Sequence, residues 1–482
     1  MKDKKEPVLL TDLQIQQFIC DGFLVLQADV ADAVNKQIDE RFNWIVEHEG
    51  NHGNNILPRL PDLYKIIDCS VVRGAMISLL GPDYMLYVHR YWHFRRVPEE
   101  PIDHEAAIAR SRKGSHQDSY PPTIQARSHC LHFLRAMYYS HDVPLQNGPT
   151  HVVPGSQYHN RVSDEDRPRQ MPVEVKAGAV VISHFDIIHT GFANRSERVR
   201  NMMKFIFARG KRAEAPAWQH ESTDWKRPAN LSAPFKLDAC WQQQWNHLCN
   251  LNPEPVEKKG NTKGLINSLE TATDVQTRID LIEELGDTQS ADAVTHLITL
   301  LDEGHQAERT TTIYSLAKIG SPVIAPLIDC LIKAGEENPD PVPSFETLNL
   351  DDACHALAAI GEDCISAVLP LLDSSNEITV LSAIHILNDI SIYKEEVAKA
   401  LLALLDSDKP FILCLAANAL GNIGADESAP SLCRLLDHPL DLEQTNVYKW
   451  PIAWAIHHNA AFALAHLGAG AAACEDEIIK HL

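Results

Sequence analysis

Four side chains set the chemistry open to this chain. His116 and Asp118 stand two residues apart in Gly114-Ser115-His116-Gln117-Asp118; His189 follows about seventy residues later, and Arg200 is the eleventh residue beyond it. Two imidazoles and one carboxylate form the facial set that holds non-haem Fe(II) and leaves adjacent positions open. That open face takes a bidentate keto acid together with O2. Side chains alternate along an extended segment, so His116 and Asp118 share one side, and His189 must arrive from a neighbouring strand. Arg200 carries a planar fork that matches a carboxylate in two hydrogen bonds, which suits the distal carboxylate of 2-oxoglutarate. An H-x-D pair alone arises by chance. Here it lies just before alternating strands, a second histidine closes a buried strand, and an arginine follows on the next. Arg198 competes with Arg200 as the anchor, and His184 with His189 as the distal ligand.

The elements that must position these groups are legible in the local pattern. Thr11 and Gln14 form a capping box for a first helix, which breaks at Asp21-Gly22 before a short strand from Phe23 to Leu26. Helices are expected from Val30 to His48 and from Tyr64 to Leu80, with a loop from Asn51 to Asn55 between them. Met85 to Phe94 alternates and is rich in aromatics, as a strand should be. Glu99 to Lys113 is polar and charged and reads as a loop or mobile lid. Ser128 to Ser140 reads as one long central strand, followed by strands at His151 to Val153, Gly178 to Ser183 and Arg200 to Ala208. Many short strands separated by turns imply an antiparallel barrel or jelly roll. Of the histidines near the central strand (His129, His132 and His141), one is a candidate for the pocket wall, although satisfied barrel histidines are the favoured reading. The basic group Arg90, Arg95, Arg96, Arg110, Arg112 and Lys113 either meets an anionic substrate or forms a solvated rim.

Residues 211–263 read as a connecting segment. Trp218, Trp225, Trp241 and Trp245 are expected to cap the barrel, and the Pro/Lys/Gly-rich end from Asn252 to Gly260 marks a domain boundary. Beyond Gly264 one helix type recurs, ending in an apolar residue and glycine at Gly286, Gly320, Gly361, Gly424 and Gly468, with Ser391 in a weaker copy. A second helix type alternates with it. Such helix pairs spell an α-solenoid of HEAT-like repeats, with inserts at Asn338 to Leu350 and Leu440 to Pro451. Residues 264–482 carry 34 acidic against 10 basic side chains, while the rest is near neutral. That balance disfavours nucleic acid and anionic lipid as partners. A charged N-terminus without an apolar core, no apolar run of membrane-span length, and eleven scattered cysteines point to a cytoplasmic chain with reduced thiols. No His-Glu dipeptide follows residue 264, and His457-His458 with His466 reads as a capping repeat with buried histidines.

Several stretches resemble the phytanoyl-CoA dioxygenase family. They are Leu10 to Leu26, His116-Gln117-Asp118, Asn147-Gly148-Pro149-Thr150 through Ser156, and Gly178 through His189, Asn194, Ser196 and Arg200. Together they span roughly residues 8–210. The resemblance implies His116, Asp118 and His189 as iron ligands, Arg200 as the oxoglutarate anchor, and Fe(II), 2-oxoglutarate and O2 as the reacting set. Joined with the repeats, it leads to the expectation of a two-domain chain: an N-terminal double-stranded β-helix (jelly roll, cupin-like) with flanking helices over 1–210, a capping segment over 211–263, and an all-α HEAT-like solenoid over 264–482. Family members often carry Ser two residues after the distal histidine, where this chain has Gly191, so further support for the co-substrate must come from elsewhere. With Asp118 present, hydroxylation is favoured over halogenation, and a small-molecule substrate is expected. The alternative is a scaffold whose acidic concave solenoid binds a protein, with an inactive or protein-directed oxygenase domain.

Overall fold

A computed structural model describes residues 5–120, 122–251, 260–338, 347–439 and 452–481. The charged start of the chain, the Pro/Lys-rich boundary at 252–259 and most of both solenoid inserts lie outside them. The N-terminal part is built on ten short strand positions, of which the last comes from the solenoid: β1 Phe23–Gln27, β2 Met85–Arg95, β3 Gln125–Ala126, β4 Phe133–Tyr138, β5 Thr150–Val152, β6 Met171–Pro172, β7 Ala179–His184, β8 His189–Gly191, β9 Arg200–Ala208 and β10 Thr347–Leu348. The order β1-β7-β4-β9-β2 makes a five-stranded antiparallel sheet, and β6-β5-β8 a three-stranded one.

Alternation decides which side chains meet. Met137, Val181 and Met202 of the large sheet pack with Val152 of the small one, so the two sheets face each other. The opposite face of the large sheet, with Leu134, Ala136, Met203, Phe205 and Phe207, packs with residues of the N-terminal helices such as Ile38, Phe42 and Ile45. Arg135 on β4 and Arg200 and Lys204 on β9 share the parity of Met137 and Met202, and so point between the sheets.

Local structure departs from expectation in several places. The Glu99 to Lys113 segment is no loop: a helix spans His104–Lys113, with Asp103 accepting from Ala106 N at 3.1 Å as its N-cap. The run Ala106-Ala107-Ile108-Ala109 has the propensity for it, which the surrounding charges obscured. The Tyr64 to Leu80 helix is two, Leu63–Ile67 and Ser70–Leu80. The long central strand is only Phe133–Tyr138, because Ser128 to His132 turns away to meet the solenoid. The tryptophans do not cap the sheets. Trp241 and Trp245 lie on the helix Asp238–Cys249, wedged between the first helix, Asp12–Asp21, and the repeats; Trp218 donates to Asp12 Oδ1 at 2.6 Å.

The repeats stack as two layers. Inner helices run Val275–Asp287, Gln306–Ile319, Asp352–Ile360, Glu377–Ile390, Pro410–Ile423 and Ile452–Leu467. Four of the five helix-stop glycines have positive φ, whereas Gly286 does not; there a Cβ would sit 2.8 Å from Ser315 Cα, so glycine serves a close helix approach. Ser391 takes the left-handed cap at φ 51°, and its hydroxyl donates to Asn422 O at 3.0 Å. The helical run Asp352–Asp373 is long and apolar enough to cross a membrane, contrary to the sequence reading, yet its Cys354, Leu357 and Val368 are buried within the stacked repeats. All eleven cysteines are unpaired, and nine are buried.

The concave surface expected to dock a partner is occupied by the chain's own N-terminal domain. β3 pairs in parallel with β10. Ser128 Oγ donates to Asp389 Oδ2 at 2.7 Å, Asn418 Nδ2 to Ile124 O at 3.2 Å, and Asn160 Nδ2 to Leu350 O at 2.7 Å. Phe462 stacks on Phe133 with centroids 5.7 Å apart and meets the edge of Tyr87. Inner helices covered from both sides explain why Gln306–Ile319 buries Thr310, Thr311, Thr312 and Ser315 along with its apolar residues.

Glu283 sits in this packed region, where its Oε1 accepts from Ala239 N at 3.0 Å, and burial pushes its carboxyl up to about 7. A carboxyl with a raised folded-state pKa favours the protonated fold, so stability falls as pH rises from 4.5 through about 7. Glu283→Gln keeps the acceptor and removes the titration. It is expected to raise stability at pH 8 by about 1–3 kcal/mol and to flatten the pH dependence of Tm between those limits, as measured by thermal melts.

Candidate metal centre

His116 and His189 meet through a two-bond backbone bridge: His116 N donates to His189 O at 3.0 Å and His189 N to His116 O at 2.9 Å. The H-x-D segment therefore acts as a further edge to the small sheet beside β8. The two rings lie 4.5 Å apart. His116 Nε2 is 3.7 Å and His189 Nε2 3.8 Å from the same oxygen, Oδ1 of Asp118.

Each imidazole is fixed by its other nitrogen. His116 Nδ1 donates to Gly114 O at 2.8 Å, and His189 Nδ1 to Ile187 O at 3.1 Å. Carbonyls only accept, so both Nδ1 atoms carry the proton and both Nε2 lone pairs turn inward. Burial, with the positive Arg135 nearby, holds His189 well below its ordinary pKa, hence neutral. The carboxylate is held just as firmly. Asp118 Oδ2 accepts from Arg135 Nη2 at 2.8 Å, Arg135 Nε at 3.1 Å and Lys204 Nζ at 3.2 Å. Burial opposes its ionisation, but Lys204 and Arg135 outweigh that, and its carboxyl lies well below the usual range. Oδ1 is thus left to face the two histidines. Gln117, between His116 and Asp118, donates to His159 O and Asp186 O and pins the segment. Asp186 is in turn bound by Tyr120 and by Arg127, whose backbone N–H donates to Leu348 of the solenoid.

Arg200 is 1% exposed, and its Nε and Nη1 have no hydrogen-bond partner among the described residues. Burial lowers its pKa only to about 10, so it stays charged at neutral pH. A Cβ on Gly191 would stand 3.0 Å from Arg95 Nη2 and 3.5 Å from Arg200 Nη2. Glycine at this place, two residues past His189, leaves room for a second guanidinium beside the first. Arg198, the competing candidate, points outward to an ion pair with Asp39. His184 faces away, lining the seam with the solenoid, and accepts from Asp186 N through Nδ1. His129, His132 and His141 do not reach the triad either: the first two contact the solenoid, and His141 accepts from Asn201 N.

Arg135, Lys204 and Arg95 were missed, or set aside as rim, by sequence reasoning. A period-two count from Arg200 puts Lys204 on the same face of β9, and this was the available signal. Lys204→Met preserves volume and removes one cation from Asp118 Oδ2. It is expected to weaken metal binding by about 10–100-fold with little change in melting temperature, measured by Co(II) titration; unchanged affinity would show the lysine idle.

Residues 20–202 match the phytanoyl-CoA dioxygenase family, and residues 365–445 match HEAT repeats. No curated protein matches the chain. Among solved structures it is similar to the non-heme alpha-ketoglutarate-dependent carbocyclase SnoK from nogalamycin biosynthesis, at 16% identity over 43% of this chain and 88% of that one, with a TM-score of 0.34. It is also similar to HygX from Streptomyces hygroscopicus with nickel and 2-oxoglutarate bound, at 14% identity over 42% and 87% of the two chains, with a TM-score of 0.33.

Proposed function

We propose that this chain is a non-haem Fe(II)- and 2-oxoglutarate-dependent dioxygenase that hydroxylates a small organic substrate. On this reading residues 1–210 form a jelly-roll oxygenase domain, 211–263 a connecting segment, and 264–482 a helical-repeat domain folded over it. The observation that carries the reading is the convergence of two Nε2 lone pairs on one oxygen of Asp118, with an unpartnered buried guanidinium close by.

His116, Asp118 and His189 fit a ferrous ion by donor type, tautomer and separation. Bound there with 2-oxoglutarate and O2, iron supplies the oxidation: one oxygen atom goes to the substrate C–H as hydroxyl, and the other to succinate as CO2 leaves. The protein's own part is positional. Gly114 O and Ile187 O hold the imidazoles in the binding tautomer. Arg135 and Lys204 keep Asp118 ionised and aimed. Arg200, with Arg95 beside it, offers fixed positive charge to the far carboxylate of the co-substrate. Asp118 and His189 are largely buried, which strengthens these charge contacts, while the exposed His116 leaves the position open to solvent.

The test is oxoglutarate consumption by the purified full chain with Fe(II), with and without a panel of candidate metabolites. Succinate formation stimulated by one of them supports the reading. No oxoglutarate-dependent absorption band and no succinate under any condition would overturn it. A protein-docking scaffold is less favoured, because the inner face of the repeats is filled by the oxygenase domain itself.

A further inference from the structure

The seam between the two domains buries a second constellation that the oxygenase reading does not use. Asp389, on the inner helix Glu377–Ile390, has a side chain only 2% exposed. No lysine or arginine pairs with it among the described residues. Its Oδ2 accepts from Ser128 Oγ at 2.7 Å and lies 3.6 Å from Nε2 of His385, one turn back on the same helix. Its Oδ1 lies 3.4 Å from His132 Nε2 and accepts from Asn388 Nδ2 at 3.1 Å. His355, from the next inner helix, sets its ring perpendicular to that of His385 with centroids 5.5 Å apart.

One donor atom each from His355, His385 and Asp389 lies within 4.8 Å of the others, and the same holds for Cys130, His132 and Asp389. His355 and His385 are 4% and 3% exposed, and His355 Nδ1 and His385 Nε2 have no hydrogen-bond partner among the described residues. A cavity of about 30 Å³, walled in part by Cys130, His132, His184, His385 and His466, adjoins them. That is room for a water or an ion.

Without a cation this cluster leaves two buried imidazole nitrogens unpartnered. The buried carboxylate faces imidazoles and neutral donors but no lysine or arginine among the described residues, and a buried carboxylate is costly without a fixed positive charge. Two buried imidazole nitrogens without partners add further cost. A transition-metal ion answers all three demands at once, because neutral imidazoles and a carboxylate are its preferred ligands. Donors around a tetrahedral ion with bonds of about 2.1 Å stand roughly 3.4 Å apart, close to the separation of His385 from Asp389.

We propose that His355, His385 and Asp389 hold a divalent transition-metal ion of the zinc type at the seam, separate from the His116–Asp118–His189 centre. Cys130 and His132 approach the same carboxylate from the N-terminal domain, so Asp389 joins the ion's surroundings to that domain.

The test uses the full chain with the triad disabled, His116→Ala with Asp118→Ala, stripped by chelator and titrated with Co(II). The expected result is about one equivalent bound, with visible ligand-field bands and a raised melting temperature. Adding His385→Gln or His355→Gln should abolish the bands, while circular dichroism reports whether each variant is folded. No Co(II) uptake by the triad-disabled chain would overturn the site without recourse to the added variants. Uptake that persists in folded His385→Gln and His355→Gln chains would overturn it equally. Because the triad is absent throughout, neither outcome bears on the oxygenase reading.

Discussion

His189→Ala is expected to reduce oxoglutarate turnover by more than about 100-fold, equivalent to about 2.7 kcal/mol, and to weaken Fe(II) or Co(II) binding at the triad. The reasoning is local. The substitution removes the Nε2 that lies 3.8 Å from Asp118 Oδ1, and no other described histidine approaches that oxygen except His116. Altering even the groups that merely support a metal ligand costs 10–100-fold, so losing a ligand costs at least as much. The fold should survive, because the bridge to His116 runs through the backbone, which alanine retains. Circular dichroism and melting curves check that, and metal titration with succinate assays checks the rest. Turnover within a few-fold of wild type would remove His189 from the centre. His184→Ala provides the contrast, since that ring lines the domain seam and should leave triad metal binding intact.

The second large effect concerns Arg200. A buried cation with unpaired Nε and Nη1 is a liability in the isolated fold. Placing oxoglutarate's far carboxylate against it would turn that cost into a charge-assisted pair worth about 2–5 kcal/mol. Arg200→Met should therefore raise the KM for oxoglutarate by about 100-fold or more while leaving the chain at least as stable as wild type. A group retained for stability would show the opposite pattern. Arg200→Lys keeps the charge but loses the planar fork and should fall between the two. Arg198→Ala, at a part-buried ion pair with Asp39, should leave the KM unchanged. Steady-state oxoglutarate kinetics and thermal melts on the same samples decide the matter. An Arg200→Met variant with normal KM would send the anchor role elsewhere, with Arg95 as the first candidate because it shares the niche opened by Gly191.

Much of this was readable from residue order, for a definite reason. Strand alternation and helix caps are local, so Thr11 with Gln14, β7 and β9 could be placed from neighbouring residues alone. Spacing put His116 and Asp118 on one side of an extended segment, and Gly and apolar periodicity exposed the repeats. Local signals name a buried face but not what buries it. Glu99 to Lys113 failed on this account, since its charges suggested a loop while its alanines made a helix.

What the chain's order determined by itself was the donor set, the strands that carry it and the paired-helix repeats. Only the tertiary structure decided that Arg135 and Lys204 would grip Asp118 and that Gly191 would admit Arg95 beside Arg200. It also decided that the solenoid's inner face would close on its own N-terminal domain and bring His132 to Asp389. Those meetings join residues tens to hundreds of positions apart. They depend on sheet register and on the curvature of the stacked helices, which no short window of sequence contains.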